Sequence, residues 1–215
     1  MHRPSVRGGW AMERKMTDLL VHPSADPAVR PQSDVELGRF NRNPPGLSLT
    51  QLLREDYETH GRNFFSQGFW AIAVHRLGNW RMGVRNGLLR LPLTLLYRIL
   101  AKLVQWLGGI DLMYTVKVGR RVRIWHHGGM TLEALEIGDD VHIRQNTTFG
   151  LKQHGDPRWL KPIIGKGCQI GAGAVIVGPV IVGEGSTIGA NVVLAQDVPP
   201  HSIVTVPKPV IRPLR

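Results

Sequence analysis

Two imidazoles stand side by side at His126 and His127, the only adjacent pair among the chain's nine histidines. Imidazole changes charge near neutral pH, so a histidine held in a rigid frame is suited to taking a proton from an acceptor group and returning it later. Spacing alone does not choose between the two. The single cysteine, Cys168, occupies an inward place of the repeat described next; it can form no intramolecular disulfide and reads as a small core residue. That usage suits a reducing compartment, and no metal site is expected.

The frame that must hold such groups is written from Ile164 to Pro199. In sixes the stretch runs IGKGCQ, IGAGAV, IVGPVI, VGEGST, IGANVV, LAQDVP, with an aliphatic residue at 164, 170, 176, 182, 188 and 194. The fifth places hold Cys168, Ala174, Val180, Ser186, Val192 and Val198, all small or β-branched. This is the hexapeptide signature of a parallel β-helix, each hexad a short strand and a tight corner, stable only when coils stack. The register extends back through Leu112, Val118, Ile124 and Met130, slips by one residue, and resumes at Ile137, Ile143 and Phe149. It is lost again over 151–163. Each loss must be a loop or bulge leaving the prism, and breaks in a rigid repeat are where function concentrates. The shorter break closely follows the histidine pair.

At 215 residues and 42% hydrophobic content the chain can form a solenoid with a helical cap. Residues 1–46, rich in Arg, Pro, Ser and Gly, read as a disordered extension, 47–108 as an α-helical domain, 109–207 as the β-helix and 208–215 as a tail. The fold class is therefore α+β, an N-terminal helical cap followed by a parallel β-helix. No secretory leader is expected, since residues 1–14 lack an uninterrupted apolar segment. The expected location is cytoplasmic, with peripheral membrane contact as its variant.

Ser48 and Gln51 form a capping box for a helix reaching about residue 59, closed by Gly61. A second helix is expected over 64–84, with Phe65, Phe69, Ile72, Leu77 and Trp80 on its apolar face and Gly68 and Gly78 as weak points. A third, over 88–107, carries leucines at helical spacing with Pro92 in its first turn. Arg90, Arg98 and Lys102 interrupt it, so it does not span a membrane. Between Glu58 and Asp111 stand seven basic residues and no acid, a pattern that suits a solvated cap packing on its neighbours or a helix lying on an anionic membrane. Nucleic acid is not an expected partner, because no binding motif accompanies the +11 charge.

The stretches GIDLMYTVKVGRRVRIWHHGG, EIGDDVHIRQNTTFG and IGKGCQIGAGAVIVGPVIVGEGSTIGANVVLAQDVPPHS resemble the serine O-acetyltransferases, and QGFWAIAVHRLGNW resembles the end of that family's helical domain. The likeness covers about residues 50–207 and is nearest to relatives tied to exopolysaccharide biosynthesis. It implies a left-handed β-helix, against the usual right-handed rule for parallel crossovers. It also implies acetyl-CoA as co-substrate and a homotrimer, with a dimer of trimers through the cap as the larger assembly.

The same resemblance assigns His126 as general base and Asp111, fifteen residues upstream, as its orienting carboxylate, with His127 as the weaker base candidate and a substrate neighbour. Gly171, Ala172 and Gly173, then Gly189 and Ala190 one coil later, become the corners along which acetyl-CoA lies, with Lys161 and Lys166 near its phosphates. Arg158 is the match for an acceptor-carboxylate arginine. Trp125 stands where the family commonly has Asp, which removes a partner for an amino group and offers an indole that suits a sugar face. The acceptor is divided between L-serine and a saccharide hydroxyl, and a non-catalytic trimeric scaffold is the alternative of another class.

Overall fold

The computed structural model describes residues 38–212. The sequence-expected disorder of residues 1–46 therefore falls, over 1–37, outside the described residues. Within 38–46 the chain is tied down: Arg42 N–H donates to Asn79 Oδ1 at 3.0 Å, and Asn43 Nδ2 donates to the Arg76 carbonyl at 2.9 Å.

Helix α1, Leu49–Thr59, starts at the expected capping box: Ser48 Oγ accepts from Gln51 N–H, and Ser48 N–H donates to Gln51 Oε1 at 2.8 Å. Helix α2, Gln67–Trp80, starts three residues later than the apolar pattern predicts. Ser66 caps it, Asn63 Oδ1 takes the Phe65 N–H, and Phe65 is left in solvent rather than on the core face. A 3-10 turn over Arg81–Gly83 follows. Helix α3, Gly87–Gly108, is capped by Asn86, whose side chain accepts from Leu88 N–H at 2.9 Å. Pro92 is therefore its sixth residue, in the second turn and not the first; the site is exposed, so water can answer the Leu88 carbonyl that loses its partner.

The rest is a three-sided parallel prism. Sheet A contains β1 (Ile110–Asp111), β4 (Met130–Leu132), β7 (Thr148–Gly150), β10 (Val175–Val177) and β13 (Val193–Leu194) in that order. Sheet B contains β2 (Lys117–Val118), β5 (Glu136–Ile137), β8 (Ile163–Ile164) and β11 (Ile181–Val182). Sheet C contains β3 (Arg123–Ile124), β6 (His142–Ile143), β9 (Gln169–Ile170), β12 (Thr187–Ile188) and β14 (Ile203–Val204). Strands β1 to β12 thus visit A, B and C in turn; β13 lies on A and β14 on C, and the B side between them is marked by a single Val182–Val198 bridge.

Both inward places of each hexad are buried as the repeat requires: Ile164, Ile170, Ile176, Val182, Ile188 and Leu194, and with them Cys168, Ala174, Val180, Ser186, Val192 and Val198. Burying each aliphatic chain stabilises the prism by about 1.5–3 kcal/mol. The two polar members find partners inside: Ser186 Oγ donates to the Pro199 carbonyl at 2.9 Å, and Cys168 Sγ donates to the Gly183 carbonyl at 3.2 Å. Burial pushes the Cys168 thiol up to about 11, so it stays protonated core. One register differs from the sequence reading: Leu132, not Met130, stands opposite Phe149, while Met130 stands opposite Ile110.

The first coil has no coil above it, and its free edge would strand backbone groups. Helix α2 answers them with side chains. Asn79 Nδ2 donates to the Tyr114 carbonyl at 2.7 Å, His75 Nε2 to that of Val116 at 2.9 Å, and Arg76 to those of Val118 and Gly119 at 2.8 and 2.6 Å. In the other direction, Ile124 N–H donates to His60 Nε2 at 3.3 Å. This explains why the buried face of α2 carries His75, Arg76 and Asn79 beside Phe69 and Ile72, and why Arg76 and Arg81 are not part of a solvated basic face. Gly68 and Gly78 are contact points rather than weak spots: a Cβ on Gly68 would collide with the backbone at Ile124, and one on Gly78 would strike the Tyr97 ring.

Candidate active site

Corners between sheets C and A form one edge of the prism, and Trp125, the two histidines and the small-residue corners lie there. In the first coil this corner lies between β3 and β4 and holds Trp125, His126, His127, Gly128 and Gly129. In the second it is the turn between β6 and β7; in the third it holds Gly171, Ala172 and Gly173, and in the fourth Gly189 and Ala190. The stack is bonded coil to coil: Asn146 N–H donates to the Gly128 carbonyl at 3.1 Å, Gly173 N–H to that of Gln145 at 2.9 Å, and Asn191 N–H to that of Ala172 at 2.9 Å. Coils repeat at about 4.8 Å, so the histidine corner and the first small-residue corner lie about 10 Å apart along the axis. Gly129, Asn146, Gly173 and Asn191 all take left-handed backbone here, with φ of 58, 60, 71 and 58°.

His126 and His127 are both exposed, as a group that meets a diffusing substrate must be. Asp111 is half-buried on β1, bordering a cavity of about 160 Å³ shared with Tyr97, Gln105 and Leu112. No hydrogen bond joins it to His126 among the described residues, so the pair shares a coil without being locked together.

Trp125 turns onto the outer face of sheet C. Its Nε1 donates to His142 Nδ1 at 3.3 Å, and the Arg123 guanidinium lies 3.6 Å from the ring centroid. The indole remains 39% exposed. Burial, with Arg123 and Arg144 nearby, holds His142 below the usual imidazole range, so it stays neutral and can accept that hydrogen bond. His142 escaped the sequence reading; the signal for it was pairing, since it sits directly across from Arg123.

Other candidates lie on other edges. Arg158 is exposed on a 3-10 turn, Arg158–Leu160, in the loop between β7 and β8, on the A-to-B edge. The shorter break, 133–135, lies on that same edge one coil earlier, and the two are tied together: Lys161 Nζ meets Glu133 Oε2 at 2.9 Å, and Leu135 N–H donates to the Pro162 carbonyl at 2.8 Å. Lys161 is therefore buried and ion-paired, where the sequence reading set it near a phosphate. Lys166 is exposed, but on the B-to-C edge between β8 and β9.

Two carboxylates of the cap could in principle have reached a bound amino group, and both are occupied. Asp56 forms a fully buried pair with Arg76, Nε to Oδ2 3.0 Å. Glu55 accepts from Arg120 at 2.7 Å and Arg121 at 3.4 Å, and the Arg120 hydrogen bond holds it below the usual carboxylate range. Among the described residues no group of His, Cys, Asp or Glu is placed to hold a metal ion.

A three-sided prism of stacked hexads defines the class, and residues 161–196 match the family described as bacterial transferase hexapeptide, six repeats. The chain is 38% identical over 145 residues to the serine acetyltransferase of Mycobacterium tuberculosis, covering 66% of this chain and 58% of that protein. To the serine acetyltransferase of Bacillus subtilis it is 30% identical over 163 residues, covering 72% of this chain and 73% of that protein. The solved structure of soybean serine acetyltransferase complexed with serine superposes with a TM-score of 0.59 at 27% identity, covering 74% of this chain and 67% of that one. The chain belongs to the serine acetyltransferase family, and its prism is the left-handed β-helix of hexapeptide repeats. It spans little more than half the length of the Mycobacterium relative.

Proposed function

We propose that the protein is an O-acetyltransferase that moves acetyl from acetyl-CoA to a hydroxyl of a saccharide. The observation that carries this reading is the common edge that His126 shares with the Gly171–Ala172–Gly173 and Gly189–Ala190 corners. Small residues on that edge leave room for an extended pantetheine, and its thioester end would lie beside the imidazole. His126 takes the proton of the acceptor hydroxyl; the oxygen attacks the thioester carbonyl; the tetrahedral intermediate expels the CoA thiolate, which recovers the proton from the imidazolium. Asp111, in the same coil, is the carboxylate available to orient the ring, with His127 beside it as a substrate neighbour.

His126 and Arg158 lie on different edges of one prism, so a site using both draws them from two copies. A trimer of parallel prisms supplies that arrangement, and Lys166, on the remaining edge, is the lysine left for the CoA phosphates.

The saccharide acceptor, and with it kinship to exopolysaccharide-associated members, rests on charge. A bound amino acid brings an ammonium, yet Trp125 offers no carboxylate, and Glu55 and Asp56 are both engaged with arginines. The half-exposed indole suits the apolar face of a sugar instead. L-Serine is the second reading, favoured by the name that the relatives carry. Release of free thiol from acetyl-CoA, measured with L-serine and with nucleotide-linked and lipid-linked sugars, tests both. Faster turnover with a sugar supports the proposal, efficient turnover with serine alone replaces it, and no turnover or CoA binding with any acceptor points to a scaffold.

A further inference from the structure

Helix α3 wears its apolar face outward. Leu88, Leu95, Ile99, Leu103 and Trp106 follow one another at helical spacings on one stripe, and all are exposed, Leu88 at 84% and Trp106 at 75%. Tyr97, on the opposite side, is the side chain that the helix buries in the protein. Alongside, Leu103 and Leu107 join Trp70 of α2 and Phe65, just before it, to line an apolar groove of about 360 Å³. A soluble helix turns such a stripe toward the core, and this one does not.

The charges around the face choose its partner. Lys102 and Arg98 are exposed along one side of it, Arg85 and Arg90 are exposed near the start of the helix, and no Asp or Glu occurs between Glu58 and Asp111. A second copy meeting this face across a twofold axis would set these cations against the same cations. A surface of anionic headgroups over acyl chains would satisfy both the cations and the stripe. No helix among the described residues is long and apolar enough to cross a membrane, so the contact is one of lying on the surface.

We propose that α3, with Phe65 and Trp70, docks the protein on an anionic lipid bilayer. The assignment is independent of which acceptor the site takes, because it concerns residues on another element. The test is co-sedimentation of the full chain with vesicles of phosphatidylcholine alone and of phosphatidylcholine with phosphatidylglycerol, at low and high salt. The chain should pellet with the anionic vesicles, and release with rising salt. Arg98→Gln and Lys102→Gln together should weaken binding about twenty-five-fold, at about fivefold per charge. Leu95→Glu with Ile99→Glu, two exposed positions, should abolish binding while circular dichroism and CoA affinity stay unchanged. The proposal is overturned by wild-type protein that stays in solution, by equal binding to neutral vesicles, or by unaffected binding of either variant. It is also overturned if the Leu95→Glu, Ile99→Glu variant lowers the sedimenting mass in the absence of lipid, which would make the face a contact between copies.

Discussion

Arg76 and Asp56 form an ion pair sealed from solvent, Nε to Oδ2 3.0 Å, while the same guanidinium holds the Val118 and Gly119 carbonyls. One side chain therefore joins α1, α2 and the free edge of the first coil. Arg76→Met leaves a buried carboxylate and two buried carbonyls without donors, and should cost about 3–5 kcal/mol. Domains of this kind have about 5–15 kcal/mol in hand, so urea midpoints should fall steeply. A midpoint within experimental error of wild type would show that the pair does not anchor the cap.

His75 gives the fold a pH dependence. It is wholly buried, and desolvation, aided by Arg76, pushes it down to about 3. Between that value and the unfolded value of about 6.5 only the unfolded chain binds the proton, so stability falls as pH falls. From pH 7 to pH 5 the loss attributable to His75 is about 2 kcal/mol. His60, also held low by burial, acts with the same sign. The dependence should shrink in His75→Gln, measured as urea midpoints at the two pH values; a slope as steep as wild type would assign it to other groups.

Ala190 is exposed on the fourth corner of the C-to-A edge. Ala190→Trp should block acetyl-CoA without unfolding the prism, because the new side chain enters the groove and not the core. Calorimetric titration should show binding lost or weakened at least about tenfold, equivalent to about 1.4 kcal/mol. Unchanged CoA affinity would move the co-substrate to another edge.

The solenoid was largely legible because hexads are local: each aliphatic and fifth-place residue reports its own burial, and Cys168 and Ser186 fell inside as their places required. The cap was not, because what α2 buries is set by the edge it must satisfy. His75 and Arg76 look like surface residues until the carbonyls of Val116 and Val118 are known to need donors. Trp125, His126 and the small corners could be placed on one edge by counting. The burial of Lys161 could not be read, since its partner Glu133 belongs to a different break in the repeat.

Trp125 decides the acceptor. Trp125→Ala should lower sugar turnover about tenfold, the loss of one aromatic contact. Trp125→Asp alone should do little for serine, because the Arg123 guanidinium, now 3.6 Å from the indole centroid, would pair with the new carboxylate. Trp125→Asp with Arg123→Gln should raise serine kcat/KM. Efficient serine turnover by wild type, untouched by Trp125→Ala, would leave the indole as packing.

The general base is tested most directly by the acetyl-transfer rate of His126→Ala, followed as free thiol released from acetyl-CoA, beside His127→Ala. The first should lose roughly 10²- to 10⁴-fold in kcat with CoA affinity and the sedimenting mass unchanged, and the second should retain appreciable activity. Wild-type turnover in His126→Ala, or the two outcomes exchanged, would contradict the assignment.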